Sequence, residues 1–121
     1  MCFYCNSGGC VILHITRQRD WEAAQVAGGY RGDTLDTEGF IHCSAPNQVC
    51  ATAELFFAGH TDLVLLCIDP SQLQSDVRYE VASNGQTYPH IYGFLNLDAV
   101  TKVVAFPPGA DGHFELPLDL R

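Results

Sequence analysis

Gly39-Phe40-Ile41-His42-Cys43-Ser44 reads as a short apolar strand that carries a histidine and ends on a serine. Alternate residues of a strand share a face, so Phe40, His42 and Ser44 point one way and Ile41 and Cys43 the other. One face thus combines an aromatic ring, an imidazole and a hydroxyl. Ala45-Pro46-Asn47-Gln48 follows as a predicted helix start, with Ser44 as the cap and Pro46 in the first turn, where no intrahelical donor is needed. The junction predicts spare backbone N–H groups beside His42, a place for an anionic ligand group.

Upstream, residues 11–16 predict a strand with Ile12, His14 and Thr16 on one face. Thr16 then caps a helix over 18–27, packed through Trp21, Ala24 and Gln25 and stopped by Gly28-Gly29. Residues 30–38 carry Gly, Asp and Thr without periodicity and predict a loop crossing a ligand site. Downstream, a helix over 45–58 packs through Val49, Ala53 and Phe56 or Phe57, with Gly59 as its stop. Residues 62–69 are apolar without alternation, which predicts a central strand covered on both faces. Residues 77–81 alternate, with Val77, Tyr79 and Val81 inward and Arg78 paired with Glu80 on the other face. Asn84-Gly85 is a tight-turn signal returning the chain as a strand over 87–92. A helical turn near 96–100, a strand over 100–106 and an edge strand at 114–116 complete the chain. Residues 1–10 predict an irregular Cys-rich leader before a single domain over 11–121. Two main helices, with late strands that follow one another directly, make the class α+β.

The 121 residues include six Lys+Arg against 14 Asp+Glu, a formal charge of −8. That field repels a polynucleotide, whereas a single phosphate needs only one or two of the scattered basic residues. A small-molecule nucleotide is the expected partner. The longest apolar run, 63–68, is far shorter than the roughly 20 residues of a membrane helix, and the N-terminus lacks a signal-peptide pattern, so the expected location is cytoplasmic. Of the six cysteines, Cys50 and Cys67 read as small buried hydrophobes. Cys2, Cys5 and Cys10 lack the second close pair of a structural zinc site.

Three histidines carry the chemical argument. His14, His42 and His90 each lie among apolar residues and precede a hydroxyl by two positions, namely Thr16, Ser44 and Tyr92. Converging at one mouth, such pairs suit a phosphate- or ribose-bearing ligand. Glu80 is the candidate acid or base beside them, and Tyr88, Pro89, His90 and Tyr92 form an aromatic-flanked turn able to stack a ring. Cys43 points away from His42, which disfavours a Cys–His nucleophile. Two rival readings remain open: a metal-dependent module using His14, His42 and His90 as ligands, and a non-catalytic nucleotide sensor.

In their order, His14-Ile15-Thr16, Asp20-Trp21, Glu38 to Ser44, Leu63 to Asp69, Arg78-Tyr79-Glu80 and Tyr88 to Val100 resemble the bacterial family known as domain of unknown function 952. The resemblance implies an ADP-ribosyltransferase-like fold, a split, curved β-sheet core gripping NAD. It also implies a likeness to RNA 2′-phosphotransferases, in which His14-Ile15-Thr16 stands for a His-Gly-Thr strand and Ile41-His42-Cys43-Ser44 for a Val-His-Leu-Ser strand. On that likeness His14 holds the ribose of the nicotinamide half, His42 or Ser44 lines the pyrophosphate or nicotinamide side, and Glu80 is the one possible counterpart of the late catalytic glutamate; Thr16 and Tyr92 join His14, His42 and Ser44 as cofactor-binding candidates. Ile15 replaces the glycine, and no arginine pair for an RNA phosphate is evident. The expected activity is transfer or hydrolysis of ADP-ribose, with His14, His42, Glu80 and His90 in the catalytic roles.

Overall fold

A computed structural model describes residues 5–6, 9–32 and 34–120, with side chains from residue 11 onward. Strands β1 (Cys5–Asn6) and β2 (Gly9–Cys10) pair antiparallel within the Cys-rich leader. Cys2 lies outside the described residues.

Two antiparallel three-stranded sheets form the body. The first has β5 (Leu63–Ile68) between β3 (Ile12–Arg17) and β8 (Val100–Ala105), and the second has β7 (Thr87–Tyr92) between β4 (Ile41–His42) and β6 (Asp76–Val81). Leu13 and Ser44 exchange two backbone hydrogen bonds of 2.8 and 2.7 Å, so the chain leaving β4 docks on β3. Helix α1 (Gln18–Ala27) follows β3 directly, α2 (Leu35–Glu38) precedes β4, and α3 (Val49–Phe56) follows it.

The alternation of β3 and β5 separates two cores. Ile12, Val64, Leu66 and Ile68 pack with Trp21, Ala24, Tyr30, Ile41 and Ile91 between the sheets. Leu13, Ile15, Leu65 and Cys67 pack with Val49, Ala53, Phe106 and Phe114 on the opposite face. Every residue of β5 is buried, as a strand without alternation requires. Helix α1 has the expected limits, and Gly28 closes it at φ 87°, a left-handed conformation that suits glycine.

Tertiary contacts override several local expectations. Thr16 does not cap α1, because its hydroxyl is taken by Tyr30; Arg17 holds the cap position without a side-chain bond. Ser44 does not cap a helix either. Its backbone is spent on Leu13 and its hydroxyl donates to Thr52 at 3.4 Å, while residues 45–48 form a turn and α3 begins at Val49. The predicted anion site at a helix start beside His42 is therefore absent. Residues 114–116 are not a strand: the Phe114 N–H donates to Glu54 Oε2 at 3.0 Å, and the ring packs on Phe106. In β6 Val77 packs against the core as expected, whereas Tyr79 and Val81 are exposed despite their alternation. Arg78 pairs with Asp76 at 3.0 Å rather than with Glu80. Residues 88–92 belong to β7 and not to a turn.

Because neighbouring residues of β5 fill different cores, Leu65→Ala and Leu66→Ala should each lower stability by about 2–5 kcal/mol in urea unfolding. A strand covered on one face would lose that much at only one of the two.

Candidate functional site

β3 turns His14 and Thr16 toward the space between the sheets, and the loop after α1 brings Tyr30 to them. Tyr30 is pinned by two backbone hydrogen bonds with Leu95, of 3.0 and 2.7 Å. His14 Nδ1 donates to the His42 carbonyl oxygen at 2.5 Å; a carbonyl can only accept, so this nitrogen carries a proton. Nε2 lies 2.7 Å from the Tyr30 hydroxyl oxygen, and that hydroxyl donates to Thr16 Oγ1 at 3.0 Å. All three side chains are buried. Together they form a polar floor with fixed rotamers inside an otherwise apolar layer.

Above this floor opens a cleft of about 1380 Å³. His14, Thr16, Tyr30, His42, Ser44 and His90 line its polar part. Arg17, Arg19 and Arg31 line it as well, so the fold gathers at one place basic residues that look scattered in the sequence. Arg31 is paired with Asp36. Arg17 and Arg19 have no carboxylate partner among the described residues. Apolar side chains line the cleft too, Ala23 and Ala27 from α1 and Ala51, Leu55 and Phe56 from α3.

At the rim, β4 and β7 place His42 directly opposite His90, with ring centroids 5.3 Å apart. Phe40 stacks on His90 at 4.1 Å and meets His42 edge-on at 4.8 Å. Each imidazole has its own carboxylate: His42 Nε2 lies 3.1 Å from Glu38 Oε1, and His90 Nδ1 lies 2.8 Å from Glu80 Oε1. Tyr92 donates to the same Glu80 oxygen at 2.5 Å, with the Arg78 guanidinium 4.1 Å above the Tyr92 ring. Hydrogen bonds from Tyr92 and His90 hold the Glu80 carboxyl below its ordinary 4.5.

The sequence candidates are thus divided between two shells. His14, Thr16, His42, Ser44 and His90 line the cleft, whereas Glu80 and Tyr92 stand behind His90 and reach the cleft through it. Ser44 is buried. Tyr30 and Glu38 were not singled out; they fall in a stretch without periodicity, and the hint was only that it crosses the ligand site. Among the described residues, no three His, Cys, Asp or Glu side chains converge on a metal position, so His14, His42 and His90 do not form the three-ligand centre weighed as a rival. Burial drives the Cys43 thiol far above its ordinary range and Cys67 up to about 11, which leaves both as packing groups. No helix among the described residues is long and apolar enough to cross a membrane.

A family model described as "Protein of unknown function (DUF952)" matches residues 15–103, most of the chain. The crystal structure of protein CC0527 from Caulobacter crescentus is similar at 34% identity and a TM-score of 0.82, covering 91% of this chain and 97% of that one. A double mutant of that protein gives 33% identity and the same coverage and score. Its solution NMR structure gives 34% identity and a TM-score of 0.76, with 88% and 92% covered. No curated protein matches.

The depressed Glu80 carboxyl stabilises the fold above its unfolded value, and this contribution is lost as pH falls through the folded value. In urea unfolding, the stability difference between the intact protein and Glu80→Gln should be largest near neutrality and shrink below about pH 4.5. A difference that stays constant from neutrality to pH 3 would contradict the Tyr92–Glu80–His90 arrangement.

Proposed function

The chain belongs to the DUF952 family, whose description states no activity, and we propose that its cleft binds NAD or a related ADP-ribosyl nucleotide. One observation carries the reading. The buried His14–Tyr30–Thr16 floor lies in the same cleft as Arg17 and Arg19, two guanidinium groups without acidic partners among the described residues, in a chain whose formal charge is −8. A ribose presents hydroxyls to such a floor, and a diphosphate is what unpaired arginines bind. The apolar lining supplied by Ala23, Ala27, Ala51, Leu55 and Phe56 suits a base ring.

This reading also takes the fold as ADP-ribosyltransferase-like: two split sheets grip the nucleotide between the His14 strand and the His42 strand. The reaction suited to the cleft breaks the bond between the ribose anomeric carbon and the nicotinamide nitrogen. Nicotinamide leaves with the electron pair as a neutral molecule, and an acceptor oxygen bonds to the anomeric carbon. The acceptor proton passes to His42. Glu38, which lines the cleft, faces the developing positive charge, and Glu80 orients His90. His14 acts by holding Tyr30 and the His42 backbone in place.

Calorimetric titration with ADP-ribose and NAD tests the reading. Saturable binding is expected for the intact protein, weakened at least about tenfold, or 1.4 kcal/mol, in the Arg17→Ala/Arg19→Ala double variant. Absence of binding by the intact protein would refute it.

A further inference from the structure

Scission of a nicotinamide–ribose bond requires one proton acceptor and no proton donor, because nicotinamide departs neutral. The rim nevertheless carries two complete histidine–glutamate pairs. His42 with Glu38 and His90 with Glu80 come from different parts of the chain and are brought opposite one another by the β4–β7 register. The carboxylates hold His42 Nε2 and His90 Nδ1, which fixes each ring's orientation and leaves Nδ1 of His42 and Nε2 of His90 without a partner among the described residues. Phe40, packed against both rings, sets their spacing at 5.3 Å between centroids. Two oriented imidazoles this close can face a single reacting centre, one as proton acceptor and the other as proton donor. That suits a reaction that takes one proton and gives another.

We propose that His42 and His90 form an acid–base pair that cleaves a small ribonucleotide phosphodiester held in this cleft. One imidazole accepts the 2′-hydroxyl proton as the 2′-oxygen bonds to phosphorus. The P–O5′ bond breaks, and the leaving oxygen takes the bonding pair and a proton from the other imidazole. The products are a 2′,3′-cyclic phosphate and a free 5′-hydroxyl, with no change of oxidation state. Arg17 and Arg19 on the same cleft supply positive charge for the phosphate. The net charge of −8 restricts the substrate to a dinucleotide or similar small ester rather than a polymer. Glu38 and Glu80 are positioning residues, each acting through its histidine.

The test uses the full chain with uridylyl-(3′→5′)-adenosine, separating products by chromatography. The intact protein should yield the cyclic phosphate and adenosine, and the 2′-deoxy analogue should stay intact. His42→Ala and His90→Ala, each shown by circular dichroism to melt cooperatively, should each lose at least about 100-fold in rate. Glu38→Gln should lose less, because the histidine remains. No turnover by the intact protein, or equal turnover by His42→Ala purified in the same way, would overturn the proposal. The outcome is independent of ADP-ribose binding, since a chain that cleaves the dinucleotide and binds no ADP-ribose would keep this inference and lose the other.

Discussion

The architecture hangs on the seam between the two sheets, where Leu13 and Ser44 exchange backbone hydrogen bonds and His14 Nδ1 donates to the His42 carbonyl. A short strand such as β4 leaves backbone groups with no neighbour, and buried carbonyls are costly when unpaired. Here a side chain from the other sheet supplies one of the missing partners. His14 is therefore a structural connector and a wall of the cleft at once. Its fixed ring also positions the Tyr30 hydroxyl, which in turn is taken by Thr16.

The seam explains why the chemistry collects where it does. Splitting the sheet opens a gap whose floor is polar, beside a central strand buried on both faces. β3 ends at Arg17 and runs straight into α1, so Arg17 and Arg19 stand beside the same gap that His14 and Thr16 line. The β4–β7 pairing brings His42 and His90 to its rim, with Phe40 packed against both rings. Acidic residues elsewhere on the surface leave this gap as the place where unpaired positive charge gathers among the described residues.

Much of the scaffold was legible because local patterns and tertiary needs agree there. Residues 18–27 carry a helical stripe with a glycine stop, 63–68 an unbroken apolar run, and 87–92 follow an Asn-Gly turn; all three appear with nearly the expected limits. The three histidines stood out by their apolar flanks and nearby hydroxyls, and all three line the cleft. What was not legible depends on distant contacts. Tyr30 sits in a stretch with no period and is fixed by Leu95, remote in sequence. Glu38 becomes a partner of His42 because α2 ends at Gly39, with φ 89°, and turns the chain back into β4. Ser44 and Thr16 look like helix caps, but tertiary hydrogen bonds claim both. Alternation in 77–81 implied an inward face along the whole strand, yet Val77 packs on the core while Tyr79 and Val81 are exposed.

The central claim is that the gap at this seam is a nucleotide site, and NMR titration of isotope-labelled protein with ADP-ribose addresses it most directly. The account predicts that the largest amide and imidazole shifts fall at His14, Thr16, Arg17, Tyr30 and His42. Shifts confined to β8, or no shifts at saturating ligand, would contradict it.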